Sequence, residues 1–287
     1  MSHRDASTNL YAINFTCNDD LDDSEIVDSL IDHVTLSPTI QLLSIVAECP
    51  VTKLPQLSLC HSLTTLRLDD IATEATGFEF VSLQCFHLFD CRFECGSGDT
   101  LDLFRGCITL QDLCMQDCVY YGRVKRFKIS APHLVHLSVS GMRVDEEFDS
   151  DCIIELFTPK LQTFTYSDSH VYKFSVKVNL SLLQKVNIVL DYLTTDMDAN
   201  LSLRLFELFE VVGSAKSVFL SPVVIKVLSM FPNLMKGRPS PFSRVTIFKL
   251  ITDGPLYSYL IPTNVMTYLF GGSPEMRRWN LNSHKRM

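Results

Sequence analysis

Apolar residues return along this chain in one frame, apolar-x-x-apolar-x-apolar. It reads Leu63-x-x-Leu66-x-Leu68, Leu83-x-x-Phe86-x-Leu88, Leu110-x-x-Leu113-x-Met115 and Leu134-x-x-Leu137-x-Val139. It continues as Leu161-x-x-Phe164-x-Tyr166 and Leu183-x-x-Val186-x-Ile188, then more loosely as Ala215-x-x-Val218-x-Leu220 and Val245-x-x-Phe248-x-Leu250. Side chains alternate along a strand, so the last two apolar residues of each frame project into a common interior and their flanks face the opposite side. The first apolar residue fills the interior where the chain enters the strand. A unit made of one strand and one return segment cannot bury its own apolar face, so stacked neighbours must supply the burial.

Spacers of about 20 to 32 residues match an irregular leucine-rich repeat. The expected fold is therefore α/β, a leucine-rich-repeat solenoid with a curved parallel β-sheet and helical or irregular return segments. Three residues past each frame, where the chain turns away, stand Cys91, Cys118 and Asp191, while Ile71, Met142 and Ser169 depart from the usual Asn or Cys. Spacings of three and four predict helical returns at Leu101 and Phe104, at Ile153, Leu156 and Phe157, at Leu205, Leu208, Phe209 and Val212, and at Val224, Leu228 and Phe231. Pro132, Pro159, Pro222 and Pro232 punctuate these returns where a missing N–H costs least. Leu10, Ala12, Ile13 and Phe15 read as an entry strand. Asp22, Asp23 and Ser24 are placed to cap a helix through Ile26, Val27, Leu30 and Ile31. Ile40–Val46 reads as an early strand without the complete frame. The chain thus divides into an N-terminal cap and first unit (1–60), the repeats (61–252), and a closing segment with a flexible basic tail (253–287).

Composition narrows the function. Hydrophobic content is 46% and the 19 Phe suit an irregular core that needs large fillers. The net charge of −8 argues against nucleic-acid or anionic-membrane partners. The exception is the short basic run Arg277, Arg278, Lys285 and Arg286 at the end. No apolar run approaches the ~20 residues that cross a bilayer. Met1-Ser-His-Arg-Asp lacks a signal-peptide core, so the expected location is cytoplasmic and/or nuclear. Ten Cys in that setting are expected as reduced, mostly buried thiols, and their spacing fits no zinc site. No cofactor is expected. His3-Arg4-Asp5 echoes a kinase triplet without the remainder of that motif. Cys114 and His136 fall on adjacent predicted strands, but a flat open sheet encloses no substrate, so no enzyme is expected.

Function is expected on the outward-facing flanks of the frame, the concave face of the solenoid. Protein-binding candidates there are Arg67, Asp69, His87, Phe89, Asp112, Gln116, His136, Lys185, Asn187, Phe219 and Lys249. Phe89 and Phe219, as exposed aromatics, are the expected interface anchors.

Four stretches carry a family resemblance: Pro55–Leu68, Phe104–Leu113, Ala131–Val139 and Phe157–Phe164. Each joins a turn, often Cys- or Pro-marked, to an apolar-x-x-apolar strand. In this the chain resembles plant F-box/leucine-rich-repeat proteins over roughly residues 1–250. The resemblance implies a substrate-binding repeat portion of an F-box subunit in a cullin–RING (SCF-type) ubiquitin ligase, with a target protein held on the concave sheet. The N-terminal F-box that docks the Skp-type adaptor has a Leu-Pro-x-Glu-type opening and a Trp near its end. Neither precedes the repeats here, and the single Trp is Trp279. A truncated form is therefore implied, binding the adaptor only where a longer form supplies an F-box. The alternative is a sensing or scaffold repeat domain, as in immune receptors, unrelated to ubiquitination.

Overall fold

The computed structural model describes residues 10–17, 24–75, 77–96, 98–144, 152–191, 199–242, 244–251 and 261–271. Asp22, Asp23, the His3 triplet and the basic run from Arg277 to Arg286 lie outside them. The chain begins β1 (Ala12–Thr16), α1 (Ser24–Thr35), β2 (Leu42–Pro50), a 3-10 turn (Leu54–Leu59) and β3 (Thr65–Ala75). Short strands follow: β4 (Cys85–Phe89), β5 (Arg92–Cys95), β6 (Thr100–Asp102), β7 (Asp112–Gln116), β8 (Val119–Tyr121) and β9 (Arg126–Ser130). Next come β10 (His136–Ser140), β11 (Arg143–Val144), β12 (Ile153–Phe157), β13 (Thr163–Asp168), β14 (Lys173–Val176) and β15 (Lys185–Leu190). The remainder is α2 (Ala199–Val212), β16 (Ser217–Leu220), α3 (Pro222–Met230), α4 (Pro232–Met235), β17 (Ile247–Leu250) and α5 (Thr263–Phe270). The fold is α/β, dominated by one 13-stranded parallel sheet beside a separate 4-stranded parallel sheet.

The apolar frame sets the register of the large sheet. Leu66 pairs with Phe86, Phe86 with Leu113, Leu113 with Leu137 and Leu137 with Phe164. The row continues through Val186 and Val218 to Phe248. All are buried, as is the second row from Leu68 to Leu250. One carbonyl at each rung accepts two N–H groups from the next: Gln84 O takes Gln111 N and Asp112 N at 2.8 and 2.9 Å. The same double acceptance recurs from Tyr11 to Lys216, which satisfies the backbone where each strand begins. Two rungs precede the first predicted station. Ile40-x-x-Leu43-x-Ile45 is a complete frame, with Leu43 opposite Leu66 and Ile45 opposite Leu68. Ile13 and Phe15 of β1 pair with Leu43 and Ile45, so the entry strand forms the end of the sheet.

Each strand is entered by a turn. Leu134 N donates to Ala131 O and Leu161 N to Thr158 O, both at 3.1 Å. Pro132 and Pro159 take the second turn position, where a fixed φ suits the bend. At four successive stations the chain bends through a left-handed residue two positions past the frame: Asp70 (φ 58), Asp90 (φ 50), Asp117 (φ 53) and Gly141 (φ 55). Asp is among the few side chains that tolerate this region. The next residue, Ile71, Cys91, Cys118 or Met142, turns back into the core and is buried. The two thiols donate to Leu68 O (3.6 Å) and Leu88 O (3.7 Å) one rung back, whereas Ile71 and Met142 fill the same slot by size alone. Past this bend, β5, β8 and β11 extend the sheet as a second short ladder beside the end of β3.

The return segments correct the helical reading at two places. Leu101 lies in strand β6 with Phe104 in the turn after it, and Ile153, Leu156 and Phe157 lie in strand β12. Together with β9 and β14 these strands form the 4-stranded sheet in the order β14-β12-β9-β6. Between the two sheets pack the rings of Phe78, Phe80, Phe86 and Phe104 and, farther along, Phe93, Tyr120 and Phe127. Further on the returns become helical, as the spacing predicts. Leu205, Leu208, Phe209 and Val212 of α2 and Val224 and Leu228 of α3 are buried, while Phe231 stands just past α3. Pro222 and Pro232 open α3 and α4. In α1, Val27, Ile31 and Val34 face inward and Ile26 faces solvent. No described helix is long and apolar enough to cross a membrane.

Candidate functional site

Side chains that flank the frame emerge on the face of the large sheet opposite the packed interior, in rows fixed by strand register. One row runs Arg67, His87, Cys114, Ser138, Thr165, Asn187, Phe219 and Lys249. The row before it carries Asp112, His136 and Lys185, and the row after it Asp69, Phe89 and Gln116. All the predicted candidates therefore share one open face, in two groups with His136 between them.

The first group spans β3, β4 and β7. Arg67 donates to Asp69 (2.8 Å) and lays its guanidinium 4.4 Å from the centre of the Phe89 ring. His87 Nε2 lies 3.2 Å from Asp112 Oδ1 across the strand gap. The Gln116 amide donates to Asp117 at 3.1 Å. The second group spans β15 to β17. Lys185 Nζ and Lys249 Nζ lie 4.9 and 5.5 Å from the centre of the Phe219 ring, and Asn187 donates to Thr165 Oγ1 at 2.9 Å. Phe89 and Phe219 are thus half-buried beneath cations rather than freely exposed, a correction to the expected anchors. An approaching surface meets an aromatic ring and its cation together, a pairing worth more as water is excluded. His136 stands exposed between the groups, opposite Asp112 on one side and Thr163 on the other.

Cys114 and His136 lie on adjacent strands, β7 and β10, as expected, but two positions out of register. Cys114 stands opposite His87 and Ser138, and His136 opposite Asp112. Burial pushes the Cys114 thiol up, aided by the Asp112 charge and opposed by a Ser138 hydrogen bond and Arg67. Burial and Asp112 likewise raise Cys85. Activated cysteines show the opposite shift.

Two features escaped the sequence reading. At the bends Asp70, Asp90 and Asp117 line a cavity of about 520 Å³ with Arg92, Tyr121 and Arg143. Arg92 donates to Asp70 at 2.8 Å. Their signal was an Asp recurring two residues past three successive frames. The other feature is a set of charges on the 4-stranded sheet, carried mainly by β9 and β14, which the apolar frame does not mark.

At Asp90, partial burial and then the charges of Asp117, Asp69 and Asp70 raise the carboxyl above its ordinary value, and Arg143 opposes them. A carboxyl raised on folding costs stability where it is ionised, and the cost fades as pH falls through its folded value. Asp90→Asn keeps the tolerance for a left-handed backbone and removes the charge. It is expected to raise Tm at neutral pH by about 1 °C, the effect being small because the group faces solvent. The difference from wild type should close on acidification. A gain that persists unchanged at acid pH assigns it to something other than the charge.

Neither protein-family models nor curated proteins compared with the chain give a match.

Proposed function

We propose that this chain is a non-catalytic leucine-rich-repeat recognition module that holds a target protein on the open face of its large sheet. The reading extends to the substrate-binding part of an F-box subunit of a cullin–RING ubiquitin ligase, with adaptor docking left to an F-box in a longer form. The observation that carries it is the row of Arg67, His87, Cys114, Ser138, Thr165, Asn187, Phe219 and Lys249, held in unbroken register on adjacent strands. Strands about 4.8 Å apart make this a broad, nearly preformed surface, so little ordering entropy is lost when a partner docks. Its two cation-capped rings supply the aromatic and charged contacts that dominate protein interfaces. The raised Cys114 thiol is poorly suited to nucleophilic chemistry.

The test is site-specific photocrosslinking. A photoreactive residue replacing Thr165 should capture a protein partner that the same residue at Leu182, on the turn before β15, does not. Phe219→Ala combined with Arg67→Ala should weaken that partner at least about tenfold, as expected for interface hot spots. Equal capture from both positions, or undiminished binding by the double variant, would remove the open face from consideration. The ubiquitination reading requires more: the captured partner must be modified when an F-box-bearing form is reconstituted with its adaptor and cullin. A partner that binds but is never modified fits the sensing or scaffold alternative.

A further inference from the structure

The outward face of the 4-stranded sheet is basic, in a chain whose net charge is −8. On adjacent strands β9, β12 and β14, Ile153 lies between Arg126 and Lys173, and Glu155 lies between Lys128 and Ser175. Lys177 follows immediately after β14. Three of these cations converge on Glu155, whose side chain is only 3% exposed: Arg126 Nη1 at 2.6 Å, Lys177 Nζ at 3.8 Å and Lys128 Nζ at 3.9 Å. One carboxylate therefore gathers long side chains that would otherwise repel one another, and the four cations of this face outnumber its two carboxylates, Glu155 and Asp102, the latter directly opposite Lys128. Asp102, on the edge strand β6 beside β9, also accepts a hydrogen bond from Ser130 Oγ at 2.6 Å. Ile153 and Phe157, half-buried on the same face, add apolar surface among the charges.

We infer that this face is a second docking surface, separate from the open face of the large sheet, and that its occupant is a short acidic segment of a partner protein carrying an apolar side chain. Charge complementarity selects an anionic partner. Size selects among anions. The patch spans three strands, roughly 15 Å across with its side chains, and the screening length at physiological salt is about 8 Å. A nucleic acid or an anionic membrane extends well beyond it and meets a molecule that is negative overall. An acidic peptide fits within it, and Phe157 and Ile153 receive its apolar residue.

The experiment is fluorescence anisotropy with a labelled, Glu- and Asp-rich peptide of about 12 residues containing one Phe, long enough to cross the patch when extended. Wild-type protein should bind it, with affinity falling severalfold between about 20 and 200 mM salt. Lys173→Glu with Lys177→Glu should weaken binding at least tenfold while leaving the circular dichroism spectrum in place, with Tm lowered because Lys177 is one of the three cations on Glu155. Glu155→Gln keeps an acceptor for Arg126 and removes one negative charge, so it should tighten binding. Lys185→Glu with Lys249→Glu, on the other sheet, should leave peptide affinity unchanged. Failure to bind at low salt overturns the inference, as does equal binding by the Lys173/Lys177 variant. Tighter binding of single-stranded RNA or anionic vesicles, lost in that same variant, overturns it too by giving the face another occupant. Loss on Lys185→Glu with Lys249→Glu alone would move the peptide to the large sheet and also overturn it.

Discussion

Phe86→Ala is expected to destabilise the protein by about 4 kcal/mol, read as a lower denaturant midpoint at constant slope. Phe86 is 0% exposed, and its ring sits 5.1 Å from Phe78, 5.7 Å from Phe80 and 6.1 Å from Phe104. Truncation removes the transfer term of a whole ring and leaves a void that the parallel strands on either side, bearing Leu66 and Leu113, are held too firmly to close. Three residues on, in the same strand but on the opposite face, Phe89 lies half-buried beneath Arg67. Phe89→Ala should cost about 1 kcal/mol or less, the scale of an exposed cation–π contact with some buried area. The pair tests the alternation itself. A one-residue slip of register would exchange the two faces. Similar losses for both variants, or a larger one for Phe89→Ala, would contradict the placement of every rung.

That alternation is why so much of the large sheet was legible. Within Leu63–Leu68 and its counterparts, two inward positions and their outward flanks are fixed by a period of two, and the return of the frame makes each rung predict the next. In Ile40-x-x-Leu43-x-Ile45 the frame is complete, but Leu42 beside Leu43 and Val46 beside Ile45 blur its alternation. The return strands failed for a different reason. In Ile153–Phe157 the positions 153, 156 and 157 satisfy a helical spacing, while 154 and 156 satisfy the strand alternation that the fold uses. Five residues cannot separate the two periods, although the two adjacent β-branched Ile residues favour a strand. The short ladder of β5, β8 and β11 carries strands of two to four residues and leaves almost no periodic trace.

The site shows the same division. Strand alternation identified which residues face outward, because that is a backbone property. It could not reveal that Phe89 and Phe219 lie under cations from neighbouring rungs, since that depends on which long side chains reach across. The basic face on the 4-stranded sheet was lost with its strands. Once β9 and β14 are strands, Arg126-x-Lys128 and Lys173-x-Ser175-x-Lys177 each put their cations on one side. A net charge of −8 for the whole chain then describes the average and not that surface.

Gly122→Ala is expected to cost about 3 kcal/mol or more, whereas Gly141→Ala should cost about 1 kcal/mol, although both glycines end a strand with positive φ. Gly122 has φ +124, which side chains of L-residues rarely adopt, and an added Cβ would lie 2.6 Å from the backbone oxygen of Cys95 on the preceding rung. That oxygen belongs to β5, whose pairing with both β3 and β8 holds it in place. Neither the dihedral strain nor the clash has an inexpensive escape. Gly141 has φ +55, the same left-handed conformation that Asp70, Asp90 and Asp117 adopt at the three preceding bends. Its added Cβ would meet Asp117 Oδ1 at 2.1 Å, but that atom ends a side chain that can rotate away at the cost of one exposed hydrogen bond from Gln116. Gly141→Asn should therefore fall near wild type, since Asn visits this region readily. Chemical denaturation of the three variants decides the point. A Gly122→Ala protein as stable as Gly141→Ala would show that the bends after β8 and β10 are equivalent, and that Gly122 is not the site where neighbouring rungs approach too closely for any side chain.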